Sequence, residues 1–369
     1  MIVSDKFGPQ YVIEVNSLKP CFKGFLIIDN LVLGVGKGGI RMAANLTLEE
    51  LFRLARTMTW KNSLFGLPFG GAKAGIVIDP RRISLAEKKK IIQQFARLIA
   101  PFVPKYYIAG PDIGIGEREM RWFAEAIGNW TAATGKPADF CRILNGKKFC
   151  GLPHELGSTG FGVAMAAKTA AEFAGNILQS ATAVIAGFGN VGSFVAKHLD
   201  EMGVKIIAIS DYDGAIFDSR GLPVKKLLSL IKQGKRINDF PGVQKMPRDK
   251  IYELKTDILI PAAVSDVITD KNWRQVKARI IVEGANIPIP EDIEEKLWRK
   301  GILIVPDFVA NGGGVISSFA EYKGGTPKEM FKIVSRKIEK ATRSVLAESL
   351  KSKRNPRQVA FVLAKRGVK

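Results

Sequence analysis

Three lysines occupy settings that ordinary surface lysines do not: Gly36-Lys37-Gly38-Gly39-Ile40-Arg41, Met58-Thr59-Trp60-Lys61-Asn62 and Gly70-Gly71-Ala72-Lys73-Ala74-Gly75. Most lysines of a basic chain are solvated charges, and glycine next to lysine also makes plain turns. Glycines on both sides nevertheless keep the backbone small where a ligand could lie against it. Where several ammonium groups converge in an apolar space, the least solvated is driven towards its neutral form and can act as a base. Lys73, bracketed by alanines and glycines, is the candidate. Asp112, in Gly110-Pro111-Asp112-Ile113-Gly114, follows a strand-like stretch, where a carboxylate would face a crevice at the carboxyl end of a sheet. Taken alone, Asp112 reads better as a turn or helix-cap residue. His154 and His198 are the only histidines, so proton transfer is expected from Lys, Asp, Glu or water.

Gly187-Phe188-Gly189-Asn190-Val191-Gly192 has the GxGxxG spacing, a weak signal alone because glycine triplets also serve tight turns. Its surroundings strengthen it. An apolar run from Thr182 to Ala186 precedes it, a helical pattern to Met202 follows, and Asp211 ends the next strand about 20 residues further on. Gly187 would permit the turn, Gly189 would let the backbone approach a pyrophosphate, and Gly192 would let helix and strand meet. Asn190 and Val191 would lie in the first helical turn, whose amino terminus attracts phosphate. The cofactor implied is NAD or NADP. A carboxylate at Asp211 suits ribose hydroxyls and repels an added phosphate, which favours NAD, although Asp211 also reads as a turn residue in Ser210-Asp211-Tyr212-Asp213-Gly214.

The elements that must position these groups alternate along the chain. Strands are expected within 11–35, including Tyr11 to Val15 and Gly24 to Asp29, and at Gly75 to Ile78 and Tyr106 to Ala109. Helices are expected from Thr47, with Glu50 three residues on, to near Gly66, and at Leu85 to Leu98 and Glu117 to Ile127. After a turn-rich stretch, Gly146 to Leu156, a helix through Ala164 to Phe173 leads into strands at 182–186, 205–209, 258–260, 280–282 and 302–305. The 369 residues are thus expected to be α/β in two domains separated by a cleft. Residues 1–150, with 320–369 packing back on them, would form an α/β substrate-binding and catalytic domain; residues 151–319 would form a Rossmann-like, doubly wound dinucleotide-binding domain.

Composition narrows the function classes. The chain is 46% apolar and 25% charged, and it has no apolar run of membrane-spanning length or secretory leader pattern. A cytoplasmic location is expected. Cys21, Cys141 and Cys150 show no CxxC spacing, so no metal site is expected; they read as buried or incidental thiols in a reducing compartment. The net charge of +21 is dispersed and not blocked, which favours small anionic ligands over nucleic acid.

In order and spacing these segments resemble the glutamate, leucine, phenylalanine and valine dehydrogenase superfamily. GKGGIR, MTWKN, LPFGGAKAGI, GPDIG, STGFGV, GFGNVG, VEGAN and the ANGGGVISS segment at Ala310 to Ser318 occur in the family's order, from about Gly24 to Tyr322. The resemblance implies that Lys73 is the catalytic lysine and Asp112 the catalytic aspartate. Lys61 would hold the substrate α-carboxylate, and Lys37 with Ser318 its side-chain carboxylate. Thr159, Asn190 and Asn286 would contact the cofactor, with Asn311 near the nicotinamide. A homo-oligomer is also implied. Where the branched-chain and aromatic enzymes look like ALGG, this chain has GKGG; a lysine buried opposite an apolar side chain would be unpaired, whereas glutamate supplies its counter-ion. The expected reaction is therefore oxidative deamination of L-glutamate to 2-oxoglutarate and ammonia, and its reverse. Two readings compete: a branched-chain or aromatic amino-acid dehydrogenase with Lys37 turned away, and a catalytically silent binding or regulatory homologue suggested by the +21 charge. Pro153-His154-Glu155-Leu156 and Ala263-Val264-Ser265 depart from the commonest family versions.

Overall fold

A computed structural model describes residues 4–175 and 178–368, with the backbone alone for Leu144. The chain forms two compact units. Unit 1 comprises Met1–Leu156, Val315–Ile333 and Phe361–Lys369; unit 2 comprises Gly157–Gly314 and Val334–Ala360. This partition differs from the expected return of 320–369 as one block, since 334–360 lie with unit 2.

Unit 1 is built on five strands, β1 (Tyr11–Leu18), β2 (Cys21–Asn30), β3 (Gly36–Met42), β4 (Gly70–Val77) and β5 (Tyr107–Gly110), in the order β1-β2-β4-β3-β5. β3 runs parallel to β4 and β5, and the β1–β2 and β2–β4 pairs are antiparallel. Both faces are covered, which explains the unbroken apolar run in β2. Phe25 and Ile27 meet Leu51 and Ala55 of α1 (Leu48–Leu64), while Leu26 and Ile28 join the larger core with Ile92 and Phe95 of α2 (Leu85–Ile99) and Phe123 of α3 (Glu117–Ile127). Thr47 caps α1 through the Glu50 amide, and buried Asp29 grips its outer turns through Thr59, 2.5 Å away, and Arg56, 2.9 Å.

Two glycine-rich stretches that were not read as strands are strands. Gly36–Met42 was unassigned and β4 was expected only from Gly75; the first therefore carries Lys37 and the second Lys73 within regular ladders. Glycines in these strands and in the neighbouring β5 serve close packing. A Cβ on Gly71 would lie 2.0 Å from Thr59 Oγ1, and one on Gly110 would lie 2.7 Å from Lys37 Nζ. Glycine here admits a helix and a lysine head to the sheet.

A hairpin of β6 (Cys141–Leu144) and β7 (Lys147–Cys150) was also unanticipated, and it corrects the cysteine reading. Cys141 and Cys150 face each other across the pair and form a disulfide, leaving Cys21 free and exposed. Cysteine usage consequently gives no argument for a reducing compartment.

Unit 2 has seven strands: β8 (Thr182–Ala186), β9 (Lys205–Ser210), β10 (Ala215–Phe217), β11 (Gln244–Met246), β12 (Lys255–Pro261), β13 (Lys277–Val282) and β14 (Leu303–Val305), ordered β11-β10-β9-β8-β12-β13-β14. The five from β9 to β14 across that order are parallel; β10 and β11 add an antiparallel edge that the sequence reading lacked. Helices α4 (Ser158–Phe173), α5 (Asn190–Glu201), α6 (Val224–Lys232), α7 (Glu291–Arg299) and α8 (Asp307–Ala310) belong to this unit. The terminal helices are α9 (Gly313–Tyr322), α10 (Pro327–Ser352) and α11 (Pro356–Arg366). Among the described residues no helix is long and apolar enough to cross a membrane. Because Gly71 leaves no room for a methyl group, Gly71→Ala is expected to destabilise the protein by about 1–3 kcal/mol through overpacking of α1 on β4, measured as a lower urea midpoint; an unchanged midpoint would contradict this packing.

Candidate active site

Period-two alternation decides what the unit 1 sheet presents. Ala72, Ala74 and Ile76 of β4 and Ile40 and Met42 of β3 enter the α2–α3 core, which turns Lys73 and Lys37 to the opposite face, the one that receives α1. There Lys73 Nζ forms an ion pair with Asp112 Oδ2, and Arg41 reaches Asp112 Oδ1 at 3.3 Å while holding Glu50 at 2.6 Å. Asp112 follows β5 in a tight turn closed by its bridge to Ile115, and its own carboxylate accepts from the Ile113 amide at 2.7 Å. Burial opposes ionisation of Asp112, but Lys73 and Arg41 outweigh it and hold the carboxyl at about 2.

Lys37 is different. It is 2% exposed, and among the described residues its ammonium donates to main-chain oxygens only, Ala109 at 2.8 Å and Ile108 at 3.4 Å. Burial lowers its pKa to about 7, with Lys136 and Lys73 adding to that and Glu321 opposing it. The lysine expected to be driven towards neutrality was Lys73; strong desolvation falls on Lys37, and Lys73 is ion-paired. Lys61 lies in the last turn of α1, where its neighbour Asn62 donates to Gly70 O at 2.6 Å and so fixes that turn against the start of β4. Ser318 is 8% exposed on α9. One turn later on that helix Glu321 is fully buried against Lys136, 2.6 Å away.

Lys136, Glu321 and Arg41 were not singled out in the sequence. Two signals were present: a second glycine-preceded lysine in Thr134-Gly135-Lys136-Pro137, and an acid three residues after Ser318 on an apolar helix. In the sequence His154 stood out as one of two histidines and within a segment that departs from the family pattern, without a role. Burial lowers its pKa, and Lys37 and Asp112 are among the charges it feels, so it belongs to the same neighbourhood.

In unit 2 the β8–α5 loop carries the glycine motif at the point where the strand order reverses, between β9 and β12 on either side of β8. Gly187 takes φ +111° against Ala262 and Ala263, a Cβ on Gly192 would lie 1.8 Å from Gly187 O, and Gly189 caps α5 with open space where a side chain would be. That opening at a helix amino terminus, flanked by Asn190 and Val191, fits a pyrophosphate. Asp211 directly follows β9, its carboxylate accepting from the Asp213 and Gly214 amides at 2.8 and 3.3 Å. Asn286 and Asn311 come together at 2.9 Å, and Gly313 abuts Ser158 and Thr159 at the start of α4. The predicted cofactor residues thus gather at one end of this sheet. Behind them Arg357 binds Glu283 at 2.7 Å, Asp307 at 2.8 Å and Glu294, and Asp307 accepts from the Ile287 amide at 3.0 Å, bracing the Asn286 loop. Among the described residues no group of His, Cys, Asp and Glu could hold a metal ion.

Comparison with known proteins gives a consistent result. Residues 151–369 match the family model described as Glutamate/Leucine/Phenylalanine/Valine dehydrogenase, and residues 12–129 match that of the Glu/Leu/Phe/Val dehydrogenase dimerisation domain. The chain is 40% identical over 310 residues to the NADP-specific glutamate dehydrogenase of Saccharolobus shibatae, covering 82% of this chain and 71% of that one. It is 37% identical over 357 residues to the glutamate dehydrogenase of Aeropyrum pernix, covering 93% and 84%. Its fold is similar to the hetero-hexameric glutamate dehydrogenase of Thermus thermophilus in its Leu-bound form, with TM-score 0.84, 26% identity and coverage of 97% and 88%. It is likewise similar to the glutamate dehydrogenase of Peptoniphilus asaccharolyticus, with TM-score 0.83, 28% identity and coverage of 98% and 90%.

Two stability measurements check this geometry. Folded Lys37 titrates near 7 against an ordinary 10.5, so between those values the unfolded chain holds the extra proton and stability rises with pH. Lys37→Met is expected to remove up to about 1.4 kcal/mol per pH unit of that rise, read from urea titrations at pH 7 to 10; an identical slope in the variant would contradict the burial. Arg357→Met, which strands three carboxylates, is expected to cost about 3–5 kcal/mol, and a loss below about 1 kcal/mol in the same titration would refute the bracing role.

Proposed function

The chain belongs to the glutamate/leucine/phenylalanine/valine dehydrogenase family, and we propose that its substrate is L-glutamate, deaminated oxidatively to 2-oxoglutarate and ammonia with NAD or NADP, or formed in the reverse direction. The observation that carries this reading is Lys37: a buried ammonium held by carbonyls alone, with no carboxylate in ion-pair distance among the described residues. An apolar substrate would leave that charge uncompensated, whereas a side-chain carboxylate would both pair it and favour its protonated form. The relatives' names as glutamate dehydrogenases support the same choice.

Within this reading the bound nicotinamide supplies the hydride acceptor. Ser318 and Lys37 hold the side-chain carboxylate, and Lys61 holds the α-carboxylate. In the resting pair Asp112 is too weak a base for an amine, being held near 2 by Lys73 and Arg41. A bound substrate carboxylate competes for those cations, restores basicity to Asp112 and lets it exchange a proton with the substrate nitrogen. Lys73, released from the pair, directs water onto the imine carbon and stabilises the developing oxygen charge. Thr159, Asn190, Asn286 and Asn311 orient the dinucleotide.

For the cofactor we favour NAD. Asp211 directly follows β9 beyond the glycine motif, and a carboxylate there would repel an adenine-ribose phosphate; the nearby Arg236 is engaged by Asp213 and stacked on Tyr212. The name of the Saccharolobus relative supplies the contrary outcome. Self-association through unit 1 accords with the dimerisation description of the model matching 12–129, and the expected cytoplasmic location is carried as part of this reading on its metabolite chemistry.

Steady-state assays of glutamate, leucine, valine and phenylalanine with each dinucleotide test the proposal. Glutamate is expected to have the highest kcat/KM, with NAD preferred; a higher value for an apolar amino acid would overturn the substrate, and a higher value with NADP would overturn the cofactor preference. Lys73→Ala is expected to lower kcat by at least about 100-fold while dinucleotide affinity stays at the wild-type value, and wild-type turnover would refute its role.

A further inference from the structure

Among the described residues Glu321 makes no ion pair with the residues proposed to touch substrate, yet its contacts with the 133–136 segment lead to Lys37. Its Oε2 accepts from the Gly135 amide at 2.7 Å and the Leu152 amide at 2.8 Å, and its Oε1 meets Lys136 Nζ at 2.6 Å. Lys136 in turn donates to Ala133 O and lies 3.6 Å over the Trp130 ring. The adjoining Thr134 amide donates at 3.0 Å to Ala109 O, the same carbonyl that receives Lys37 at 2.8 Å. Contacts therefore run without a break from α9, which bears Ser318 one turn before Glu321, through the 133–136 segment to the Lys37 ammonium.

Resting on the glutamate reading, we propose that Glu321, locked by Lys136, is a positioning residue that sets Ser318 and Lys37 as a pair and so confers selectivity for a substrate with a side-chain carboxylate. A fully buried charge pair is expensive to build and is seldom kept for stability alone. Here it does two things. It anchors α9 by two hydrogen bonds and an ion pair, fixing the azimuth of Ser318, and it puts a negative charge near Lys37. The charged groups facing Lys37 are Glu321, Lys136, Lys73 and His154, with Asp112 behind Lys73. Of these, Glu321 is the one that favours the Lys37 ammonium, against Lys136 and Lys73. Without it Lys37 would lose its proton at lower pH and with it the attraction for a substrate carboxylate.

Glu321→Gln separates this role from general structural support. In the wild type, turnover of glutamate should exceed that of L-norvaline, which has the same chain length without the carboxylate; absence of that difference would fail the glutamate reading itself. In Glu321→Gln, kcat/KM for glutamate is expected to fall on the order of ten-fold or more, carried by KM. Its decline with rising pH should begin at lower pH, while the norvaline values and their pH profile keep the wild-type form. Should the single variant fail to fold, Lys136→Met with Glu321→Gln is read in its place for selectivity alone: the glutamate loss without a norvaline loss is expected again, whereas the pH shift shrinks because Lys136 opposes the Lys37 ammonium that Glu321 favours. Equal losses for glutamate and norvaline in either folded variant, or an unshifted glutamate profile in folded Glu321→Gln, would overturn the proposal.

Discussion

Unit 1 depends on an imbalance of buried charge. Three lysines, Lys37, Lys73 and Lys136, are withdrawn from water in one neighbourhood, and two carboxylates, Asp112 and Glu321, pair with the last two of them. Each buried ammonium costs several kcal/mol unless compensated, so the site is tolerable because two charges are matched and the third rests on carbonyl dipoles. The sheet makes this arrangement possible. Parallel β3 and β4 point Lys37 and Lys73 to one face, and glycines at 71 and 110 create the room for α1 and for the Lys37 head. On the proposed reading, an incoming dicarboxylate would bring the counter-ion that the fold omits and draw a proton onto Lys37.

Unit 2 poses the opposite problem, with three carboxylates gathered on one cation. Arg357 joins Glu283, Glu294 and Asp307, and burial with mutual repulsion raises Glu283 well above the carboxylate range and Glu294 to about 7. Such a cluster binds strand end, loop and helix start into one body. The loop it braces carries Asn286, which in turn meets Asn311. The Asn286 loop at this end of the sheet is therefore braced by a residue far from it in sequence.

Much of this was legible in the chain because its strongest signals are local. The GxGxxG stretch, its flanking strand and helix, and the capped helix from Thr47 each follow from spacing alone. What was not legible required the third dimension. Gly36–Met42 has no apolar alternation, since Lys37, Gly38 and Gly39 fill its centre, and its strand character comes from neighbours on both sides. The Cys141–Cys150 bond depends on a register no spacing rule fixes. The difference between Lys37 and Lys73 was hidden for a related reason: glycines signalled close packing at both, but only the fold reveals that Asp112 pairs with Lys73.

The central claim is that Lys37 is a counter-charge awaiting a side-chain carboxylate, and proton linkage tests it most directly. Calorimetric titration with glutarate at pH 8, in buffers of different ionisation enthalpy, measures protons taken up on binding. Because burial holds free Lys37 near 7, binding of this dicarboxylate is predicted to take up close to one proton in the wild type, none in Lys37→Met, and none when valerate replaces glutarate. Glutarate binding without proton uptake, or equal uptake with valerate, would contradict the account.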